Sequence, residues 1–150
     1  KEVQVEWING VQLIAENGMT GITGNIYCGL HEYEDMSLVI HALRPGDLFV
    51  DVGANVGSYS LLASGVCHAR SIAIEPDQVA VNCLLRNIFV NDLQDLVRIE
   101  PTAVGEETGT VSFTKGRDTM NRVASAAPTI STRAAPQCCI SRGVSSAPSR

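Results

Sequence analysis

The segment from Asp51 to Gly57, which reads Asp-Val-Gly-Ala-Asn-Val-Gly, holds the residues of this chain best suited to contacting a ligand. It follows a short apolar run and precedes a segment, 58–65, that is compatible with a helix. Glycine permits positive φ and lets a backbone approach a ligand closely, because it lacks a Cβ atom. A strand, a glycine-rich turn and a helix N-terminus in this order are typical of a site for a nucleotide-type ligand.

Polar side chains in and after this loop have the chemistry that such a ligand requires. Ser-Ile-Ala-Ile-Glu-Pro at 71–76 predicts a second strand that ends in Glu75. A carboxylate there, about 20 residues beyond the loop, can accept hydrogen bonds from ribose hydroxyls. Asp51 can hold loop amides and an amino group of the ligand, and Asn55 can adopt unusual turn conformations. A helix-capping role for Asp51 and an exposed strand-end Glu75 are the structural alternatives.

The loop spacing differs from that of dinucleotide-binding proteins. Their Gly-x-Gly-x-x-Gly pattern would place glycine at positions 55 and 58, where this chain has Asn55 and Ser58. The difference disfavours a half-domain of a nicotinamide-dependent oxidoreductase, which stays open as an alternative. A non-catalytic interaction module that recruits a partner through a sheet edge is another open alternative.

Strand and helix signals alternate through the middle of the chain. Apolar Met36, Val39, Ile40 and Leu43 recur at helical spacing, and Pro45-Gly46 predicts the end of that helix. The further predictions are strands over 47–52, 71–75, 96–101 and 109–114, and helices over 58–65 and 77–90. This alternation predicts a parallel sheet with right-handed crossovers, and so one half of a doubly wound, Rossmann-like α/β domain.

The N-terminal part has a different pattern. Three β-prone runs, 3–7, 11–15 and 21–27, are separated by Asn-Gly pairs at 9–10 and 17–18. Asn-Gly between such runs is a strong hairpin signal, so we expect a short β-meander in which Trp7 is a packing residue. The chain then divides into three predicted parts: a meander and helix over 1–46, a ligand-binding half-domain over 47–123, and a tail over 124–150.

The tail differs in composition from everything before it. It holds six Ala, six Ser, three Pro and three Arg, with no Asp, Glu or Lys, whereas all 16 acidic residues of the chain precede it. Such a composition buries too little apolar surface to offset the entropy of ordering, which predicts disorder. A frameshift near Val123 would explain the change, and translating the other two reading frames beyond codon 123 would test it. A natural flexible linker is the alternative.

Charge and composition exclude several classes of protein. The net charge of −5 argues against a nucleic-acid-binding surface. No apolar run approaches the length of about 18 residues that marks a membrane span, and the start lacks the order of a signal peptide. A cytoplasmic protein is therefore expected. Lys1 in place of Met indicates that upstream sequence is absent, so a removed leader stays open.

The cysteines and histidines do not form a recognisable metal or disulfide pattern. Five cysteines are an odd number and include no Cys-x-x-Cys pair, and the three histidines are scattered. We therefore predict neither a disulfide framework nor a metal site.

Several motifs, in order and over residues 6 to 123, resemble those of FkbM-type methyltransferases, which belong to the class I family that uses S-adenosylmethionine. The loop itself resembles a variant of their Asp-x-Gly-x-Gly-x-Gly motif. The resemblance implies a doubly wound α/β fold, S-adenosylmethionine as cofactor and O-methylation of a small-molecule or sugar hydroxyl. The matching segments are 25–36, 43–47, 51–57, 74–76, 86–91 and 103–105.

The resemblance also assigns expected roles to single residues. Asp51, Gly53, Asn55, Gly57 and Glu75 are the expected cofactor-binding residues. Thr102 and Ala103 follow the third core strand and are expected to border the adenine through backbone groups, although many related enzymes carry an acidic or amide side chain there. Three further residues could line the site or be solvated helix-start groups, namely Tyr27, Glu32 and Glu34. Asn87 and Asn91 are expected to be turn or capping residues.

The resemblance covers only the first part of the family's fold. The family continues with a fourth strand that bears an acidic motif, and nothing in 115–150 resembles it. The catalytic residues are therefore unknown, and we expect this chain alone to bind the cofactor weakly and to turn over nothing. The apolar strand 48–52 would then lie at the edge of the sheet, where it could support self-association.

Overall fold

The computed structural model describes residues 1–16, 18–112 and 129–134. Eight strands and four helices make up this part of the chain. The strands are β1 (Glu2–Glu6), β2 (Gln12–Glu16), β3 (Leu48–Val52), β4 (Arg70–Ile74), β5 (Val97–Glu100), β6 (Ala103–Gly105), β7 (Gly109–Ser112) and β8 (Thr129–Ala134). The helices are α1 (Thr20–Cys28), α2 (Tyr33–Ala42), α3 (Ser58–Leu61), which continues into a π-helical turn (Leu62–Val66), and α4 (Gln78–Val90).

The central sheet has the parallel order β3-β4-β5, with α3 and α4 in the connections between its strands. One face of the sheet contributes Ala73 and Val97 to the hydrophobic core, which Leu61, Leu84 and Ile88 of the helices complete. This is the α/β architecture that the alternating pattern predicts. Asp77 begins α4, since its side chain accepts a hydrogen bond from the Val79 amide at 2.9 Å.

The first two β-prone runs of the N-terminal part form an antiparallel hairpin of β1 and β2. Asn9 and Gly10 reverse the chain with positive φ values of 52° and 83°, which these two residue types tolerate. Trp7, next to this turn, packs against the core and donates its indole N–H to the carbonyl of Gly29 at 2.5 Å. The first Asn-Gly pair is therefore a hairpin turn, as predicted.

The third run is helix α1, where the sequence predicts a strand. Ile22 and Ile26 stand four residues apart, which places both on one side of a helix, and both pack into the core that Leu13 and Ala15 of β2 share. The tertiary packing of this face outweighs the β propensity of the isoleucines and threonines. Gly18, of the second Asn-Gly pair, takes a φ of 99° just before the helix.

Two asparagines of α4 hold the hairpin against the helix. Asn91 accepts a hydrogen bond from the Gln12 amide at 2.6 Å and donates to the Gln12 carbonyl at 2.8 Å. Asn87 accepts from the Ile14 amide at 2.7 Å and donates to the carbonyl of Val56, in the loop after β3, at 2.9 Å. Asn91 is the C-cap residue of α4, and its side chain also donates to the Asn87 carbonyl at 2.7 Å, which agrees with the expected capping role. Asn87 lies inside the helix, so the turn or capping role expected for it is wrong. Both side chains also satisfy backbone groups on the edge of β2 that β1 leaves unpaired.

The remaining strands form a second three-stranded sheet, in which β8 lies between β6 and β7. Thr102 joins the two sheets, because its hydroxyl donates to the carbonyl of Ser131 at 2.9 Å. Arg133 forms an ion pair with Glu100 of β5 at 3.0 Å. Disorder is expected over 124–150, but residues 129–134 form strand β8. This strand pairs with β6 and β7, which belong to the predicted half-domain over 47–123. Residues 113–128 and 135–150 lie outside the described residues.

The opposite face of the central sheet is apolar and exposed. Leu48, Val50 and Val52 alternate with Asp51, which contacts α3, so they point away from the helices. Their exposed fractions are 53%, 50% and 62%. Within the described residues, β3 pairs only with β4, so this strand is also an edge. Parallel sheets normally have both faces covered.

None of the described helices is long and apolar enough to cross a membrane.

Replacing Asn87 with Ala should destabilise the fold. The substitution leaves the Ile14 amide and the Val56 carbonyl without their partner, and an orphaned buried group costs about 1–3 kcal/mol. We expect the free energy of unfolding in urea to fall by roughly 3 kcal/mol. Asn82→Ala, at an exposed position of the same helix, is the control and should change it by less than about 0.5 kcal/mol. Equal effects of the two substitutions would contradict the role of Asn87 in holding the hairpin and the loop after β3 against α4.

The exposed face of β3 should cause reversible self-association. Lysine on an edge strand blocks edge-to-edge pairing, so Val50→Lys should lower the fraction of dimer and larger species in sedimentation velocity. Val79→Lys introduces the same charge at an exposed valine of α4 and should leave association unchanged. A monomeric parent chain, or an equal response to both lysines, would show that β3 is not the contact.

Candidate functional site

A cleft of about 430 Å³ opens beside the carboxyl end of β3. Its floor is the loop between β3 and α3, and its walls come from α1, α2 and the segment that joins them. Parallel α/β sheets bind ligands at the carboxyl ends of their strands, and the cleft occupies this position. The lining residues are Gly21, Ile22, Asn25, His31, Glu32, Met36, Asp51, Gly53, Ala54, Asn55, Val56, Ser58 and Tyr59.

The loop is held by backbone hydrogen bonds to the neighbouring strand. The amides of Gly53 and Ala54 both donate to the carbonyl of Ile74, at 2.9 and 3.1 Å. The amide of Gly57 then donates to the Ala54 carbonyl at 2.8 Å, which closes the turn. Gly53, Asn55 and Gly57 all have positive φ, of 80°, 50° and 98°. The predicted turn chemistry of the Gly-x-Asn-x-Gly spacing is therefore present.

The two glycines of the loop have different surroundings. A Cβ atom on Gly57 would lie 2.4 Å from Cδ1 of Leu84, so the core of α4 occupies the space that a side chain would need. A Cβ atom on Gly53 would meet nothing within 4 Å. Gly57 therefore serves packing, whereas the open space at Gly53 lies on the side where a ligand could approach the backbone.

Glu75 joins the loops that follow β3 and β4. Its carboxylate accepts from the Asn55 amide at 2.9 Å and from the Asp77 amide at 2.8 Å. The residue is 7% exposed, and this burial raises the pKa of the Glu75 carboxyl despite the two backbone donors. Glu75 thus lies directly behind the loop at Asn55 and orders it.

Asp51 is the penultimate residue of β3 and lines the cleft. It accepts from the Ser60 hydroxyl at 2.7 Å and also accepts a backbone hydrogen bond from Ser60, in the first turn of α3. Burial raises the pKa of the Asp51 carboxyl, and these hydrogen bonds oppose the shift. Asp51 therefore holds the first turn of α3 through Ser60, although the N-cap residue of that helix is Gly57, and part of the Asp51 side chain faces the cleft.

The wall opposite the loop is polar. The Tyr59 hydroxyl donates to the carboxylate of Glu32 at 2.9 Å, and burial together with this neighbouring carboxylate raises the pKa of the Tyr59 phenol. Asn25 donates its side-chain amide to the Ser58 hydroxyl at 3.0 Å and accepts from the His31 amide at 3.0 Å. These contacts connect α1, the segment before α2 and the start of α3 around one cleft.

The residues that the sequence singles out are distributed unevenly around this cleft. Asp51, Gly53 and Asn55 line it, while Gly57 and Glu75 hold the loop from behind. Thr102 and Ala103 lie at the start of β6, where they bond or pair with β8, outside the set that lines the cleft. Of the three open candidates, Glu32 lines the cleft, whereas Tyr27 and Glu34 are exposed and do not.

Three further residues line the cleft although the sequence motifs do not single them out as site residues: Asn25, His31 and Tyr59. Their only local signal is position, since Tyr59 follows the loop by two residues and the other two belong to the segment 25–36. Chain folding brings them together across the cleft. The charged lining is acidic: it contains Asp51 and Glu32 but no Lys or Arg. No group of three His, Cys, Asp or Glu suited to a metal ion occurs within the described part of the chain.

No family model matches the sequence, and no curated protein matches it. Among solved structures, the chain is similar to a Pyrococcus horikoshii protein assigned as a transferase, with 18% identity and a TM-score of 0.54. It is also similar to P. horikoshii TYW2 in complex with MeSAdo, with 24% identity and a TM-score of 0.53. A third such structure is M. jannaschii tRNA m1G37 methyltransferase, with 16% identity and a TM-score of 0.51.

These similarities establish the fold. They cover 72%, 66% and 72% of this chain, which therefore has the α/β architecture of those proteins over most of its length. The same alignments cover only 44%, 35% and 36% of the three proteins. The chain thus spans less than half the length of each of them.

Alanine substitutions at Gly53 and Gly57 should show that a side chain is sterically excluded at Gly57 and accommodated at Gly53. Both have positive φ, so alanine at either position carries a backbone cost of about 1–2 kcal/mol. Gly57→Ala adds the overlap with Leu84, and we expect it to reduce the free energy of unfolding by roughly 1–3 kcal/mol more than Gly53→Ala does. Urea unfolding of both variants measures the difference. A Gly53→Ala variant as unstable as Gly57→Ala would contradict the assignment.

Proposed function

We propose that this chain is the cofactor-binding part of an S-adenosylmethionine-dependent methyltransferase of FkbM type. The acceptor would be a hydroxyl group of a small molecule or a sugar. The observation that carries the proposal is the loop itself, whose positive-φ turn leaves open space above Gly53 beside an acidic cleft. Such a site suits a nucleoside with positive charge more than a dinucleotide with negative phosphates. The sequence motifs at 25–36, 51–57 and 74–76 support the same assignment.

The residues present fit this cofactor. The backbone at Gly53 is accessible to it, and Asp51 faces the cleft as a partner for an ammonium group. Glu75, Thr102 and Ala103 do not line the cleft. We keep Glu75 as the proposed acceptor for ribose hydroxyls because it lies directly behind Asn55, and Thr102 and Ala103 as the proposed backbone border of the adenine. When bound, S-adenosylmethionine supplies a methyl group on an activated sulfonium centre.

The chain's own residues bind and orient, and none is assigned the removal of a proton from the acceptor. Tyr59 stays protonated because its pKa is raised, so it acts as a donor to Glu32 rather than as a general base. Methyl transfer also needs an acceptor site that holds the oxygen in line with the methyl group. We propose that the whole protein supplies the acceptor site and the group that removes the proton. We also propose that this chain alone binds the cofactor weakly and does not catalyse methyl transfer.

Two other functions remain as competitors. The exposed apolar face of β3 favours an interaction module, in which this surface recruits a second chain. A nicotinamide-dependent half-domain has less support, because Asn55 and Ser58 replace the glycines of its loop.

Titration of the ¹⁵N-labelled chain, followed by amide chemical shifts, tests these possibilities and tolerates weak binding. We expect S-adenosylmethionine and S-adenosylhomocysteine to shift the amides of Gly53, Asn55 and their neighbours, and NAD to leave them unchanged. Gly53→Ala should reduce the response, because its methyl group would enter the open space. Shifts with NAD alone would favour the oxidoreductase, and no shift with any of the three would overturn the cofactor assignment.

A further inference from the structure

Glu32 brings a second carboxylate to the cleft, on the wall opposite the loop. Its position is set by the hydrogen bond from Tyr59, which spans from the first turn of α3 to the residue before α2. Because burial and the carboxylate both raise the pKa of Tyr59, the phenol remains a donor across the physiological range. The hydrogen bond therefore orients a charged group, and it leaves acceptor sites of that group available, since a carboxylate has about four lone-pair sites.

The two carboxylates of the cleft lack cationic partners. Neither Glu32 nor Asp51 forms a salt bridge within the described residues, and no Lys or Arg lines the cleft. His31 is the lining side chain that could carry a positive charge, and its ring packs over Gly24, at 2.6 Å from the Cβ position of that glycine. The cleft thus holds negative charge that a bound cation would neutralise.

We infer that Glu32 makes this cleft selective for a positively charged ligand, so that it binds S-adenosylmethionine in preference to its neutral demethylated product. The inference rests on the proposed function, because it concerns the same site. It adds a role to a residue that the loop motif does not include.

The chemistry of the reaction makes charge the relevant difference between the two ligands. When the methyl group moves, the carbon–sulfur bond breaks with its electron pair left on sulfur. A new carbon–oxygen bond forms on the acceptor, whose O–H bond breaks and releases its proton to solvent. The sulfonium thereby becomes a neutral thioether, while the adenosine and amino-acid parts are unchanged. Both forms keep the ammonium group, but only the first carries the additional positive charge on sulfur. An uncompensated carboxylate would therefore attract the first form more strongly than the second, which would favour release of the product.

Glu32 is better placed than Asp51 to discriminate between them. Asp51 is 7% exposed and already accepts two hydrogen bonds from Ser60. Glu32 is exposed at the cleft and has one hydrogen bond, from Tyr59. Its exposure also limits the effect, because solvent and salt screen an accessible charge. We therefore expect a preference of roughly fivefold, not of several orders of magnitude.

The test compares dissociation constants of S-adenosylmethionine and S-adenosylhomocysteine, measured by amide-shift titration, for the parent chain and two variants. The parent should bind the sulfonium ligand roughly fivefold more tightly, and Glu32→Gln should bring the two constants within about twofold of each other. Glu34→Gln is the matched control, since it removes an exposed carboxylate two residues away that does not line the cleft, and it should keep the parent's preference.

A salt series on the parent chain gives a second measurement that needs no variant to fold. Raising sodium chloride from about 0.05 M to 1 M shortens the screening length to about 3 Å, so the preference should shrink. Binding of both ligands with a ratio that neither salt nor Glu32→Gln changes would overturn this inference and leave the proposed function intact. Failure of both ligands to bind any of the chains would overturn the proposed function instead.

Discussion

Most of this structure depends on the hydrogen bonds that the side chain of Asn87 forms. This side chain is fully buried on α4, and its amide contacts two backbone groups that belong to different parts of the chain. The oxygen accepts from Ile14 of the N-terminal hairpin, and the nitrogen donates to Val56 of the loop that forms the cleft floor. A buried amide whose oxygen and nitrogen both have partners favours one arrangement of those partners, because other arrangements leave polar groups unsatisfied. The hairpin is thereby part of the structure that positions the loop.

The predictable part of the fold is the part whose signals are local. Strand β3 and helix α4 follow from apolar periodicity, and the loop between β3 and α3 follows from Gly53, Asn55 and Gly57, which need positive φ. Helix α1 cannot be predicted from local signals, since its β-prone residues become helical only through the packing of Ile22 and Ile26. The contacts of Asn87 and Asn91 with β2 are equally hidden, because Ile14 and Gln12 lie more than 70 residues away.

Some residues of the candidate site can likewise be found from local sequence signals, whereas others are brought to the cleft only by the tertiary fold. The motif residues Asp51 and Glu75 can be found from order and spacing, whereas the pairing of Glu32 with Tyr59 depends on how α1 and α2 fold over the loop. Strand β8 shows a further limit. Its six residues contain β-branched Thr129, Ile130 and Thr132, but they lie in a segment whose overall composition is that of a disordered chain. Pairing with β6 and β7 supplies the order that composition does not predict.

The Glu75 carboxylate has a consequence for how this site can change. Two of its roughly four lone pairs are used by the amides of Asn55 and Asp77, which leaves two for a ligand. The loop amides and the ligand would therefore together occupy all the lone pairs of the Glu75 carboxylate. Glutamine at this position would present an NH₂ group to one of those amides, so it would lose backbone order and ligand recognition together. Affinity and loop order cannot be tuned separately at this residue, and substitutions that alter only one of them must occur elsewhere around the cleft.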